Sequence, residues 1–85
     1  MTRFIIESPH TKEECLKALD ETLAEGPAIL NKFDWGCGSG DHTGYAIVDA
    51  EDESTVKSMI PGFLRYKAKI VQVGKFTPEQ IKSYH

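Results

Sequence analysis

The run HTGYAIVDA at residues 42–50 constrains the fold of this chain most strongly. Ala46, Ile47 and Val48 are apolar at consecutive positions, whereas a strand with one solvated face alternates apolar and polar side chains. The pattern therefore predicts a central strand that needs cover on both faces. Such cover is scarce in a chain of 85 residues, because a small domain buries a small share of its surface.

Three further strands and three helices are expected around this central strand. The other strands are predicted at 3–9, 28–35 and 65–76, and the helices at 11–25, at 51–60 and from Thr77 onward. Thr11 with Glu14, and Thr77 with Gln80, have the spacing of a capping box at a helix start. The inward stripes are predicted at Cys15, Leu16, Leu19 and Leu23 in the first helix and at Val56, Met59 and Ile60 in the second.

The element order is β-α-β-β-α-β with a terminal helix, which predicts a single α+β domain over residues 1–85 with the ferredoxin-like (split βαβ) arrangement. Right-handed crossovers place the third strand between the first and second and the fourth strand beside the first. The expected antiparallel sheet order is 4-1-3-2. Both main helices then lie on one face of the sheet.

The face without helices is also apolar in this arrangement. The first strand carries Ile5 on one face and Phe4 and Ile6 on the other. The third strand carries Tyr45 and Ile47 opposite Ala46 and Val48, so both faces of the sheet are apolar. Leaving each such side chain in water forgoes roughly 1.5–3 kcal/mol, so a second copy packed sheet to sheet is the expected cover. The sequence predicts a homodimer. In the alternative, the terminal helix from Thr77 folds over the open face of a monomer.

The element order, the length and the strand GYAIVDAEDE entering an acidic helix resemble the dimeric α/β-barrel superfamily. Its small members include muconolactone isomerase-like proteins, monooxygenases acting on aromatic polyketides, haem-degrading enzymes and metal-binding proteins. The resemblance implies a ferredoxin-like dimer. It implies no particular activity, because a fold does not determine a function.

Charge, hydropathy and cysteine usage exclude several classes of partner. A net charge of −3 with interleaved acids and bases predicts no nucleic-acid partner, and no apolar run has the length of a membrane span. The start of the chain lacks the long apolar core of a signal peptide, so a cytoplasmic location is expected. Cys15 and Cys37 lie 22 residues apart without a C-x-x-C unit, so both thiols are expected to be reduced. No nucleotide or flavin motif is present.

One rim of the predicted sheet collects the residues that could carry chemistry. The end of the first strand and the turn between the second and third strands fall at the same end of the sheet, which brings His10 towards His42. The candidate rim residues are His10, Cys37, Asp41 and His42, with Arg65 and Tyr66 arriving from the start of the fourth strand. Cys15 falls on the apolar stripe of the first helix and is expected to be a core residue.

Three functions are compatible with this rim. His10, Cys37 and His42, with Asp41 as a further candidate, could bind zinc, nickel or copper, since imidazole and thiolate suit these ions. His10 or His42 could instead be the general acid or base of a cofactor-independent enzyme, an isomerase or a monooxygenase-like protein. Thirdly, Arg65 and exposed backbone amides could bind a small anionic ligand. Histidines that merely end two strands are the structural alternative.

Overall fold

Four strands and four short α-helices make up the chain, and the computed structural model describes all residues from Met1 to His85. The strands are β1 (Thr2–Pro9), β2 (Phe33–Trp35), β3 (Thr43–Ala50) and β4 (Lys69–Gln72). The α-helices are α1 (Cys15–Glu25), α2 (Pro27–Leu30), α3 (Glu53–Lys57) and α4 (Pro78–Ser83). Two 3₁₀ segments, Cys37–Ser39 and Gly62–Lys67, precede β3 and β4 respectively. The fold class is α+β, as predicted.

The strands form one antiparallel sheet in the order β2-β3-β1-β4. Read from the β4 edge, this is the predicted order 4-1-3-2, and β3 is a central strand as its sequence indicated. The ladder between β1 and β3 runs from the pair Thr2–Ala50 to the pair Pro9–Thr43. The end of β1 therefore lies beside the start of β3.

The hydrophobic core lies on the face of the sheet that the helices cover. It consists of Phe4, Ile6, Phe33, Ala46, Val48 and Ala50 from the strands and Ala18, Val56, Ile60 and Leu64 from the segments packed on them. Val56 and Ile60 confirm the predicted inward stripe of the second helix. Met59, the third member of that stripe, is partly buried against the same core.

The predicted apolar stripe of α1 is wrong for two of its four residues. Leu16 and Leu23 are 69% and 49% exposed, whereas the fully buried residues of this helix are Ala18 and Thr22. The Thr22 hydroxyl donates a hydrogen bond to the Ala18 carbonyl at 2.7 Å, so a polar side chain is buried without a loss of hydrogen bonding. A stripe read from apolar residues alone misses such a face.

The predicted strand at 28–35 is also wrong for its first half. Residues Pro27–Leu30 form α2, and only Phe33–Trp35 pair with β3. Gly26 has φ 135°, which breaks α1, and Pro27 then occupies the first helical position, where its fixed φ and missing N–H are tolerated. A glycine and a proline thus restart a helix where apolar alternation indicated a strand.

The predicted strand at 65–76 contains only four paired residues, Lys69–Gln72. The preceding chain forms the 3₁₀ segment Gly62–Lys67, and the Arg65 Nε donates to the Ile60 carbonyl at 2.9 Å. This bond holds the chain in a turn at the point where the sequence pattern indicated a strand.

The second predicted helix, 51–60, is regular only over Glu53–Lys57. The Asp52 carboxylate accepts the Thr55 N–H at 2.8 Å, so this residue is the N-cap and the helix begins after it. This bond and a second one from the Thr55 hydroxyl hold the pKa of Asp52 below its ordinary value. The acidic residues before α3 therefore cap the helix rather than extend it.

The opposite face of the sheet is open. Ile47 is 64% exposed, and Tyr45 and Val71 are exposed beside it. The terminal helix α4 starts at the predicted capping box of Thr77 and Gln80, but every residue of it is exposed. The alternative in which this helix covers the open face is therefore wrong. No helix in the structure has both the length and the apolar character of a membrane span.

Candidate metal centre

Two short segments meet at the end of the sheet where β1 finishes and β3 starts. The first, residues 10–15, connects β1 to α1, and the second, residues 37–42, connects β2 to β3. The His10 backbone N–H donates to the His42 carbonyl at 2.9 Å, which continues the β1–β3 ladder by one step. This bond fixes the two histidines on neighbouring strands with their ring centroids 5.9 Å apart. The predicted approach of His10 to His42 is what the structure shows.

Four side chains from these segments direct their donor atoms into one cluster. The set is His10, Cys15, Cys37 and His42, and one donor atom of each lies within 4.8 Å of the others. The Sγ atoms of Cys15 and Cys37 are 3.2 Å apart, and His10 Nε2 is 3.3 Å from Cys37 Sγ. His10 is only 6% exposed, and the other three are half-buried. We call this set the Cys2His2 cluster.

The loop that carries Cys37 and His42 is shaped by two glycines. A Cβ on Gly36 would lie 2.6 Å from the Asp41 carbonyl oxygen, so only glycine allows the two ends of the loop to approach this closely. Gly40 has φ 87° and closes the 3₁₀ turn in the left-handed region that glycine adopts without strain. These constraints turn the chain back so that Cys37 and His42 face the same side.

The segment that carries His10 and Cys15 is shaped by hydrogen bonds instead. The Thr11 N–H donates to the Glu14 carboxylate at 2.8 Å, and the Glu14 N–H donates to the Thr11 hydroxyl at 3.2 Å. This is the predicted capping box, although the regular helix begins only at Cys15. Lys67 also donates to the Glu14 carboxylate at 2.8 Å, and this bond with the Thr11 N–H lowers the pKa of Glu14 to about 2.

Burial raises the pKa of the Cys37 thiol above its ordinary value, and the neighbouring Cys15 sulfur raises it further. In addition, the Nδ1 atoms of His10 and His42 are buried without a hydrogen-bond partner. A buried polar atom without a partner costs free energy, and most such atoms in proteins are satisfied. Each imidazole of the cluster therefore keeps one buried ring nitrogen that no group of the protein engages.

Asp41 lies in the same loop, but its carboxylate is engaged elsewhere. The Tyr45 and Thr43 hydroxyls both donate to it, which lowers the pKa of Asp41 and raises that of the Tyr45 phenol. Because these bonds stay within the hairpin, Asp41 stabilises the loop that presents Cys37. It is not one of the four clustered donors.

The two residues predicted to reach the rim from the fourth strand are not joined to the cluster. Arg65 directs its guanidinium to the carbonyls of Ser58 and Ile60, at the end of the α3 region. The Tyr66 side chain is 82% exposed, and no hydrogen bond connects it to a cluster residue. The 3₁₀ segment that replaces the start of the predicted strand accounts for this placement.

Cys15 is the member of the cluster that was not predicted as a ligand, because its place on the apolar stripe of the first helix assigned it to the core. A signal was nevertheless present. Four residues separate His10 from Cys15, and four residues separate Cys37 from His42, so the two segments have mirrored spacing, H-x4-C and C-x4-H. Each half brings one imidazole and one thiol.

No substrate-sized cavity opens at the cluster. The three cavities of the structure are lined by other residues, and the largest, about 630 Å³, lies beside Met1, Arg3 and Gln72. Trp35 lies beside His10 at this end of the sheet, with the two ring centroids 6.0 Å apart. The arrangement favours a small ion over an organic molecule.

The chain matches no family model, and neither a curated protein nor a solved structure is significantly similar to it.

Proposed function

We propose that this protein binds one transition-metal ion through His10, Cys15, Cys37 and His42. The observation that carries the proposal is the convergence of four donor atoms within 4.8 Å from two separate segments of the chain. Two thiolates and two imidazoles form a donor set that zinc prefers in proteins. Asp41, a further candidate ligand, is replaced in this proposal by Cys15.

The spacing of the donors supports a tetrahedral ion. Zinc–sulfur bonds of about 2.3 Å and zinc–nitrogen bonds of about 2.0–2.1 Å place the ligand atoms of a tetrahedron about 3.3–3.8 Å apart. Two sulfurs bound to one zinc lie at the long end of this range, so Cys15 Sγ and Cys37 Sγ, at 3.2 Å, are closer than the bound geometry. His10 Nε2 lies 3.3 Å from Cys37 Sγ, and other donor atoms of the cluster are up to 4.8 Å apart. Binding zinc therefore requires the donor atoms to shift by up to about 1 Å relative to one another.

A complete set of four protein ligands favours metal holding over metal catalysis, because catalytic zinc keeps a position for water or substrate. The enzymatic alternative, with His10 or His42 as general acid or base, has no substrate cavity to support it. The same is true of an anionic ligand at Arg65, whose guanidinium is occupied by backbone carbonyls. Two adjacent free thiols also support a cytoplasmic location, since oxidising compartments favour disulfides.

Thermal melts with and without Zn²⁺, Ni²⁺, copper and chelator test the metal site. An ion at 100 times its dissociation constant adds roughly 2.7 kcal/mol of stability, and each kcal/mol shifts the melting temperature of so small a domain by about 4–8 °C. We expect a shift of this size with zinc, its loss in His42→Ala and its retention in His85→Ala, which removes the exposed third histidine. If no metal moves the melt of the parent protein, the proposal is wrong.

We further assign the chain to the ferredoxin-like, dimeric α/β-barrel class, with a homodimer formed through the open face of the sheet. The support is the exposed apolar patch of Tyr45, Ile47 and Val71, which no element of the same chain covers. A second copy packed sheet to sheet would bury this patch on both protomers at once, because a two-fold interface uses the same surface twice.

Light scattering tests the dimer directly. We expect twice the chain mass of 9.5 kDa at micromolar concentration, and a lower mass for Ile47→Lys, which places a charge on the open face. Leu16→Lys is the matched control, because Leu16 is similarly exposed but lies on α1. A monomer mass for the parent protein contradicts the dimer and leaves the metal site untouched.

A further inference from the structure

Cys15 and Cys37 form a closely spaced pair of free thiols inside the Cys2His2 cluster. Their Sγ atoms are 3.2 Å apart, about 1 Å more than a disulfide bond of about 2.05 Å. Cys37 lies between Gly36 and Gly38, and a side chain at Gly38 would meet no atom within 4 Å. An approach of about 1 Å between these two half-buried side chains brings the sulfurs into bonding distance.

We propose that hydrogen peroxide or a related hydroperoxide converts Cys15 and Cys37 into a disulfide and that this oxidation releases the bound metal ion. The release rests on the metal site proposed above. Cys15 and Cys37 are the only two cysteines of the chain, so one intramolecular product is possible.

The reaction balances with the peroxide as the oxidant. One cysteine sulfur attacks a peroxide oxygen, the O–O bond breaks, and the products are a sulfenic acid and one water molecule or alcohol. The second sulfur then attacks the sulfenic sulfur, the S–O bond breaks, and the hydroxyl leaves as water. In the metal-free protein the two thiols give the peroxide two electrons and two protons. In the metal-bound protein the sulfurs are thiolates, so they give two electrons and the two protons come from water.

Oxidation removes half of the donor set. The thiolate is the form of cysteine that binds metal, and a disulfide has no thiolate to offer. His10 and His42 remain as the only two strong ligands, and a two-ligand site holds zinc far more weakly than a four-ligand site. A dithiol reductant reverses the step by thiol–disulfide exchange and restores all four donors.

The test uses the full chain, first reduced and then loaded with zinc. Hydrogen peroxide is added, free zinc is followed with a chromophoric chelator, and the intact mass is measured without reductant. We expect release of the bound zinc together with the loss of two hydrogen atoms from the mass, and rebinding of zinc after treatment with dithiothreitol. Cys15→Ser is expected to lose this mass change, whereas Ser39→Ala, a neighbour of Cys37 in the same 3₁₀ segment, is expected to retain it.

Several results would overturn the inference. The first is that both thiols of the zinc-loaded protein can still be alkylated after peroxide treatment. The second is a mass increase from added oxygen atoms, and the third is a disulfide between two chains. The metal-free protein is treated in parallel, so disulfide formation is measured even where zinc is not bound. If the reduced protein does not bind zinc, the proposed function and the release step are both overturned. The binding measurement made before peroxide is added separates this result from a failure of disulfide formation.

Discussion

The two segments of the Cys2His2 cluster have the same spacing but different backbones. Residues 10–15 run from a strand into a helix, and their shape is held by hydrogen bonds of Thr11, Glu14 and Lys67. Residues 37–42 form a hairpin loop whose shape depends on the close approach of Gly36 to Asp41. The first segment is held by polar contacts, which water can replace. The second has hydrogen bonds as well, but it also needs a close backbone approach that only glycine permits.

This difference indicates which half of the site tolerates change. A lost hydrogen bond at the protein surface is partly replaced by water, so the first segment can keep its shape after a substitution. A side chain inserted where two backbone segments touch has no such replacement, because the backbone itself must move. We therefore expect the loop at 37–42 to be the more fragile half.

Among the substitutions that test this difference, Gly36→Ala is expected to have the largest effect on stability and zinc affinity. The new Cβ would lie 2.6 Å from the Asp41 carbonyl oxygen, so the loop must open and separate Cys37 from the other donors. Overpacking of this kind costs about 1–3 kcal/mol, and we expect zinc affinity to fall roughly tenfold or more. Urea unfolding and a zinc titration measure the two effects.

Gly38→Ala is the matched control for that substitution. Gly38 belongs to the same loop, and a Cβ there would meet nothing within 4 Å. A stability change within about 0.5 kcal/mol and an unchanged zinc affinity are expected. Equal effects at Gly36 and Gly38 would contradict a steric role for the close approach.

Glu14→Gln is expected to have a smaller effect, and one that depends on pH. The pKa of Glu14 is about 2 in the folded chain against 4.5 without its partners, because Lys67 and the Thr11 N–H donate to the carboxylate. Its contribution to stability is therefore complete above pH 4.5 and is lost as the pH falls towards 2. The urea midpoints of parent and variant are expected to differ at neutral pH and to converge over this range.

Glu13→Gln controls for the general loss of one negative charge, because Glu13 is exposed and has no ion-pair partner. It is expected to leave the urea midpoint almost unchanged at every pH. A gap between parent and Glu14→Gln that stays constant down to about pH 2 would show that the ion pair with Lys67 does not stabilise the segment.

Much of the fold follows from local patterns in the sequence. The apolar run of β3 predicts its central place in the sheet, and both capping boxes are where their spacing indicated. The predicted burial of β3 on both faces is wrong within this chain, because Ile47 is 64% exposed. The failures lie where a tertiary contact or a backbone restriction overrides a pattern. Pro27 restarts a helix inside a predicted strand, and Thr22 is buried because its hydroxyl bonds to its own helix.

Three of the four residues of the candidate site were predictable, because their positions follow from the order of the strands. Strand order alone brings His10 beside His42, and Cys37 precedes His42 in the same loop. Cys15 lies on the same face of α1 as the buried residues Ala18 and Thr22, so its inward direction agrees with the predicted stripe. Periodicity does not show that this face meets the 37–42 loop at the start of the helix, so the fourth donor was assigned to the core.

X-ray absorption at the zinc edge of the loaded protein tests the central claim most directly, because it counts the atoms bound to the metal. We expect two sulfur neighbours at about 2.3 Å and two imidazole nitrogens at about 2.0–2.1 Å. Cys15→Ser is expected to leave one sulfur neighbour. A spectrum of the parent protein with only nitrogen and oxygen neighbours would contradict a metal centre built from both segments.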